Sequence, residues 1–313
     1  MIAAAEAALG WVARNARAFL SGMILFGLAL PEVSGLVRPY LGPLVGATLW
    51  IVALRIGARA AVGALSDLRR TALQVLAFQM AMPLMAIGAL ASFGAADTTL
   101  ALILVLALAA SSIAGAPSIT VLVDRDPAPA LRLTVLGTAL LPLTILPVLW
   151  ASPLLGSAGA VIAAALRLIA VIGSAVALGF AMRPLMIPPR PDPARIAALD
   201  GLAAILIAAL LLGLMAEAGS ALWADPLSFL GWLALAFAVN FGLQIGTYLA
   251  MDPKGERVDS AAAAIVAGNR NIAIFIVALP PEVLAPAMIF IGAYQVPMYT
   301  TPLVLRGFYR PRR

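Results

Sequence analysis

Ten apolar runs follow one another along the chain, at residues 16–30, 40–57, 71–93, 98–123, 128–150, 163–182, 199–218, 226–250, 260–279 and 283–305. A membrane-spanning helix needs about 20 apolar residues, and most of these runs meet that length. Charged residues make up 11% of the chain, against about a quarter in a soluble domain. The expected fold class is therefore an all-α polytopic membrane protein whose main partner is the lipid bilayer. The segment before the first run, residues 1–10, carries Glu6 and is followed by Arg14 and Arg17, so it does not read as a signal peptide. Residues 2–11 read either as a short amphipathic helix lying along the interface or as a frayed end.

Charge placement tests the count of ten. Loops after the second, fourth, sixth and eighth runs hold Arg59, Arg69 and Arg70; Arg125; Arg183, Arg190 and Arg195; and Lys254 and Arg257. The termini hold Arg14 and Arg17, and Arg306, Arg310, Arg312 and Arg313, with Arg55 and Arg132 near the same ends. The opposite loops hold Arg38 and Arg167 but mostly acids: Glu32, Asp97, Glu217, Asp225 and Glu282. Cationic loops stay cytoplasmic. The asymmetry predicts an even number of spans, both termini cytoplasmic, and residence in the inner (plasma) membrane. The net charge of +6 does not point to nucleic acid, because the arginines are scattered between apolar runs without interleaved aromatics. Trp50, Trp150, Trp223, Trp232, Tyr40 and Tyr309 stand toward run ends and read as an interfacial aromatic belt.

The chain repeats itself. Gly115 and Gly268 are 153 residues apart, as are Pro31 and Pro184, which are expected to end the first apolar helix of each half. The pair Pro142/Pro147 recurs 155 residues later as Pro297/Pro302. The halves are residues 1–156 and 157–313. Five spans per half is odd, so the second half is expected to be inverted, the plan of alternating-access carriers. Two runs, the fourth and the ninth, are interrupted at matching places. Gly115-Ala116-Pro117-Ser118 breaks one and Gly268-Asn269-Arg270-Asn271 the other. Each glycine lies nine residues from a cytoplasmic-side aspartate, Asp124 or Asp259, which is about 14 Å at helical rise and about half of the ~30 Å hydrocarbon core. Paired Gly/Pro-interrupted segments point to the binding site of a secondary transporter.

An arginine at such depth is a functional-site hypothesis by default. Two readings of Arg270 stand side by side. It holds a substrate carboxylate or sulfonate in bidentate fashion, or it is a structural clamp on free carbonyls of the opposite half-helix or on a buried acid. Asn269 and Asn271, with Ser118 and Thr120, either satisfy unwound backbone or touch substrate. Thr134 and Thr138 share one face of the fifth helix, and Asn240 and Gln244 one face of the eighth, each at i, i+4. Facing lipid would be unfavourable for the two amides, so they act as helix glue or line a cavity. Gln79 and Gln295 are single cases of the same kind. Asp124 and Asp126 read as a solvated helix end.

The chain has no cysteine and no histidine. Disulfides, thiolate or imidazole metal sites and a histidine base are excluded. No activated nucleophile is visible, so an enzyme is not expected. No cofactor is expected either.

The same residues resemble the bile acid:sodium symporter superfamily over most of the chain. The likeness rests on Gln79-Met80-Ala81-Met82-Pro83, on the break at Gly115 with Leu122-x-x-Arg125-Asp126 after it, and on Gly268-x-x-Asn271. The resemblance implies ten helices, a core domain of helices 3–5 and 8–10 with broken helices 4 and 9 crossing, and a panel domain of helices 1, 2, 6 and 7. It implies transport of small organic anions, usually with Na⁺. The family's first sodium site aligns here with Ala116, Pro117, Ala130, Thr134 and Val266, where only Thr134 keeps a ligand type. The second shares the position of Val266 and adds Arg270 and Phe78, with Gln79 one place away. No metal site is expected beyond Thr134 as a residual sodium candidate. The expected function is a secondary transporter in which Arg270 does the electrostatic work of the missing ion. Conventional sodium symport through backbone carbonyls is the alternative, and a channel or a non-transporting sensor is a remote one.

Overall fold

The computed structural model describes residues 2–63, 67–153, 157–188, 192–252 and 259–309. Of the charges that marked the cytoplasmic side, Arg190, Lys254, Arg257, Arg310, Arg312 and Arg313 lie outside these residues. Every regular element described is helical: α1 (Ile2–Arg14), α2 (Ala16–Ala29), α3 (Pro31–Arg59), α4 (Leu68–Ser92), α5 (Thr99–Ala109), α6 (Ala116–Leu122), α7 (Ala128–Ala151), α8 (Ala158–Met186), α9 (Pro193–Ala224), α10 (Pro226–Met251), α11 (Ser260–Gly268) and α12 (Pro281–Val304). Within these, α3, α4 and α12 each join shorter helical stretches. A 3₁₀ stretch, Ile272–Val277, precedes α12. Among the described residues, seven helices are long and apolar enough to cross a membrane: α3, α4, α7, α8, α9, α10 and α12. The chain folds as two compact units, residues 1–61 with 169–230, and residues 62–168 with 231–313.

In the first unit, α1 and α2 pack along α9. A Cβ on Gly201 would strike the backbone carbonyl of Leu9, and one on Gly219 would come within 3.0 Å of the carbonyl oxygen of Gly27. Both pairs are 192 residues apart, so α1–α2 and α9 run parallel in one register for five turns. Of the two expectations for residues 2–11, the frayed end is corrected: they are helical, and the bare backbone of Gly201 lets α1 dock on α9. Only Asn15 separates α1 from α2, with its side-chain amide donating to the Trp11 carbonyl at 2.9 Å.

Two ion pairs join α3 to α9. Arg38 meets Glu217 at 2.7 Å and Arg55 meets Asp200 at 2.6 Å. The partners are 17 residues apart on each helix, in opposite order, so the helices are antiparallel. No charge lies between the pairs on either helix, giving an uncharged slab of about 25 Å. Near its end, α3 breaks at Gly57, whose φ is 75°. The carbonyls freed there, of Leu54 and Arg55, accept from Nη1 of Arg183 at 2.5 and 2.8 Å. Pro184 does not end its helix as expected; α8 runs on to Met186. A proline one turn from a helix end removes a single backbone bond.

The second unit is built around α11. All nine of its residues, Ser-Ala-Ala-Ala-Ala-Ile-Val-Ala-Gly, are buried. Side chains this small let other segments approach α11 from every side. Its neighbours in the core include Val75 and Phe78 of α4, Ala116 and Ile119 of α6, Ala130 and Leu133 of α7, and Tyr248 of α10. One end of the unit is tied by Arg70–Asp259 at 3.0 Å and Arg306–Asp124 at 2.8 Å. There Arg125 also donates to the Tyr309 carbonyl. Tyr309 is thereby removed from the aromatic belt. It is fully buried, and its hydroxyl donates to Gln244 Oε1 at 3.0 Å.

Candidate functional site

The two interrupted runs meet in the second unit. After α5 the backbone turns extended at Ala110 (φ −60°, ψ 148°), and α6 starts with Pro117 in its first turn, where a missing N–H is harmless. After α11 the chain leaves helical geometry at Asn269 (φ −91°, ψ 80°). The linkers cross antiparallel, with a bridge between Ser112 and Arg270. The Ile113 amide donates to the Asn269 carbonyl at 2.9 Å, and the Asn271 amide to the Ser111 carbonyl at 2.7 Å. Unwound backbone buried away from water must find partners inside the protein, and here each linker supplies them to the other.

The carbonyls left at the end of α11 are met by side chains. That of Gly268 accepts from Asn240 Nδ2 at 2.8 Å and from the Tyr294 hydroxyl at 2.6 Å. Asn240 Oδ1 accepts from Gln244 Nε2 at 2.6 Å, and that amide also reaches Thr301 Oγ1 at 3.0 Å. Thr301 in turn stands 3.4 Å from Asn269 Oδ1. Asn269 turns its own amide back to the Ile265 carbonyl at 2.8 Å. These residues are all buried, and their bonds run to backbone and to one another.

Arg270 sits at the crossing, 1% exposed. Its Nε donates to the Ala267 carbonyl at 2.6 Å and its Nη1 to the Ala110 carbonyl at 3.0 Å. Those oxygens belong to the C-terminal ends of α11 and α5. Its Nη2 points to the Phe78 carbonyl at 3.5 Å, and Cζ lies 5.4 Å from the centre of the Phe78 ring. The Phe78 carbonyl is free for a sequence reason. Residues 77–81 form a π-turn in which the Met82 amide reaches Ala77. In that register the next donor, for Phe78, is Pro83, which has no N–H. No carboxylate pairs with Arg270 among the described residues. The charge is met otherwise: each helix C-terminus carries about half a negative charge, and two of them face this guanidinium.

Of the two sequence readings of Arg270, the geometry is that of the clamp. The other predicted residues are dispersed around the crossing and beyond it. Asn240, Gln244 and Asn269 belong to the buried network described above. Gln79 takes the Thr144 hydroxyl at 3.0 Å in the notch left by Gly137, while Gln295 turns back to its own Ile291 carbonyl at 3.0 Å. Ser118 is exposed, and Asn271, Thr138, Gly115 and Pro117 are half-buried, so the accessible part of the crossing is the α6 side. Asp126 caps Ala128 at 3.0 Å and Asp124 pairs with Arg306, both at an exposed end.

A sodium ion does not fit the residues at the crossing. Ala116, Pro117, Ala130 and Val266 present no side-chain oxygen, and a guanidinium already fills the carbonyls. Thr134 Oγ1 and Ser111 Oγ are buried without partners, but two hydroxyls supply neither the ligand number nor the charge a bare cation requires. No group of three or more acids, histidines or cysteines stands together among the described residues.

Sequence reasoning missed Tyr294, Thr301, Ser112 and the Phe78 carbonyl. Only the last had a usable signal, Pro83 following within one turn. No protein-family model matches the chain, and no curated protein sequence matches it.

Proposed function

We propose that this chain is a secondary transporter of small organic anions, built as ten spans in two inverted repeats, and that it works without sodium. The observation that carries the reading is the crossing: two apolar segments, one in each half, unwound at matching places and pinned by a buried cation. The ten spans are α1–α2, α3, α4, α5–α6, α7, α8, α9, α10, α11 with its 3₁₀ continuation, and α12. The interrupted ones are then the fourth and ninth. Helix directions support this numbering. The first and seventh spans run parallel, and the second and seventh antiparallel, as odd and even positions require. The grouping of residues 1–61 with 169–230 supports a panel of spans 1, 2, 6 and 7, and the remaining residues a core of spans 3–5 and 8–10.

Ser118 and Asn271, both accessible beside the crossing, are the side chains to which a solute has access. Arg270 lies beneath them and pins the linkers that carry them, bonded to the carbonyls of Ala267 and Ala110; the anion class is what the resemblance to bile acid:sodium symporters suggests.

Thermal unfolding of the purified protein against a panel of carboxylates and sulfonates, in Na⁺ and in choline, tests this. A ligand of the folded state raises its apparent stability by mass action. The expected result is at least one anion that stabilises equally in both salts, with saturable counterflow of that anion in proteoliposomes. Stabilisation confined to Na⁺ would establish conventional sodium symport instead, and transport without saturation would establish a channel.

A further inference from the structure

The three oxygens around Arg270 come from three separate elements: Ala110 after α5, Ala267 in α11 and Phe78 in α4. Each is turned to a different nitrogen of the guanidinium, and the Phe78 ring lies against it. None of the three has a donor of its own within its helix, because two stand at helix C-termini and one faces a proline. We infer that these groups form a cation-binding pocket whose occupant is tethered to the chain, and that shortening residue 270 turns it into a receptor for a free planar cation of the guanidinium class.

The shape argues for that class. A spherical ion would need its oxygens to converge on one point. Here each of the three meets a different nitrogen of one planar group, which is the fork geometry peculiar to guanidinium. Cutting the side chain back leaves acceptors buried without donors, an expensive state, in a space of the shape of the missing group. A free cation of the right shape relieves both deficits at once. The inference stands on the geometry of the pocket alone and holds whichever solute the protein carries.

The test is the unfolding midpoint of Arg270→Ala titrated with guanidinium and methylguanidinium chloride at millimolar levels, far below the molar denaturing range. Sodium, potassium and choline chlorides at equal ionic strength are the controls. Arg270→Ala is expected to start well below wild type. It should recover several degrees with guanidinium in a saturable way, while the wild type, its pocket full, does not respond. Arg270→Met fills the space without donors and should not respond either. If Arg270→Ala is not recovered from membranes, Arg270→Gln carries the same titration. No response of the shortened variant to guanidinium overturns the inference. So does an equal response in wild type or in Arg270→Met, and a response to sodium as large as that to guanidinium would define a site for spherical ions instead.

Discussion

Gly268 is the residue whose replacement most directly tests the crossing. A Cβ added there would strike Gln244 Cγ and the backbone carbonyl oxygen of Asn240, with Gln244 Cδ at 3.2 Å. The Asn240 oxygen belongs to α10 and cannot turn away. The Gln244 side chain can yield only by giving up its bonds to Asn240, Thr301 and Tyr309. Overpacking of this kind costs about 1–3 kcal/mol, and each lost hydrogen bond adds about 1 kcal/mol. Alanine regains about 0.5–1 kcal/mol over glycine in a helix. Gly268→Ala is therefore expected to destabilise by about 3–5 kcal/mol, a fall in midpoint of about 6–10 °C for a chain this long. Gly242, on α10, has nothing within 4 Å of an added Cβ, so Gly242→Ala is expected to be neutral or slightly stabilising. Thermal unfolding of the two variants in one detergent reads the difference. If they unfold within about 1 kcal/mol of each other, a difference small beside ordinary core-packing effects, α10 does not press on the end of α11 and the account of the crossing fails.

Tyr294→Phe removes one of three donors to the Gly268 carbonyl, the others being Asn240 Nδ2 and the Arg270 amide, and is expected to cost about 1 kcal/mol. Combined with Asn240→Leu it removes both side-chain donors, so a double-mutant cycle in unfolding free energy should show coupling of about 0.5–1 kcal/mol. Gly201→Ala drives a methyl into the Leu9 carbonyl and should loosen α1 from α9, read as faster tryptic cleavage at Arg14 with the rest of the chain intact. The pairs Arg38–Glu217 and Arg55–Asp200, between a third and a half exposed, should each contribute about 0.2–1 kcal/mol in double-mutant cycles, falling as salt rises.

What could be read in the sequence, and what could not, divides along a physical line. The interruptions at Gly115 and Gly268 were legible because glycine, proline and polar residues stand out in an apolar run. That Arg270 needs partners inside the protein was legible for the same reason. Its partners were not, because they are backbone carbonyls, which every residue carries and no side chain advertises; Ala110 and Ala267 look like any other alanines. Gln295 and Tyr294 are neighbours, and the sequence favoured the amide. A helix turns by about 100° per residue, and that rotation gives Tyr294 to the Gly268 carbonyl and leaves Gln295 on its own turn. Tyr309 looked interfacial from its place at the end of a run, and only the fold shows α10 offering Gln244 to it.

The proposed likeness to bile acid:sodium symporters makes sense of the crossing once the charge is counted: two sodium ions sharing one glutamate would leave one net positive charge, and Val266 with Arg270 would leave one as well. The two helix ends that face the site carry about half a negative charge each, which is what one fixed cation needs. An acid added alone at position 266 would overcompensate that cation, and a neutral residue at position 270 would leave the helix ends facing each other unrelieved. The double variant Val266→Glu/Arg270→Gln is accordingly expected to be more stable in Na⁺ than in choline, with the wild type indifferent to the exchange. Unfolding midpoints measured in the two salts at equal ionic strength decide it: a double variant as indifferent as wild type would show that the charge at this crossing is not set by the sum of these groups.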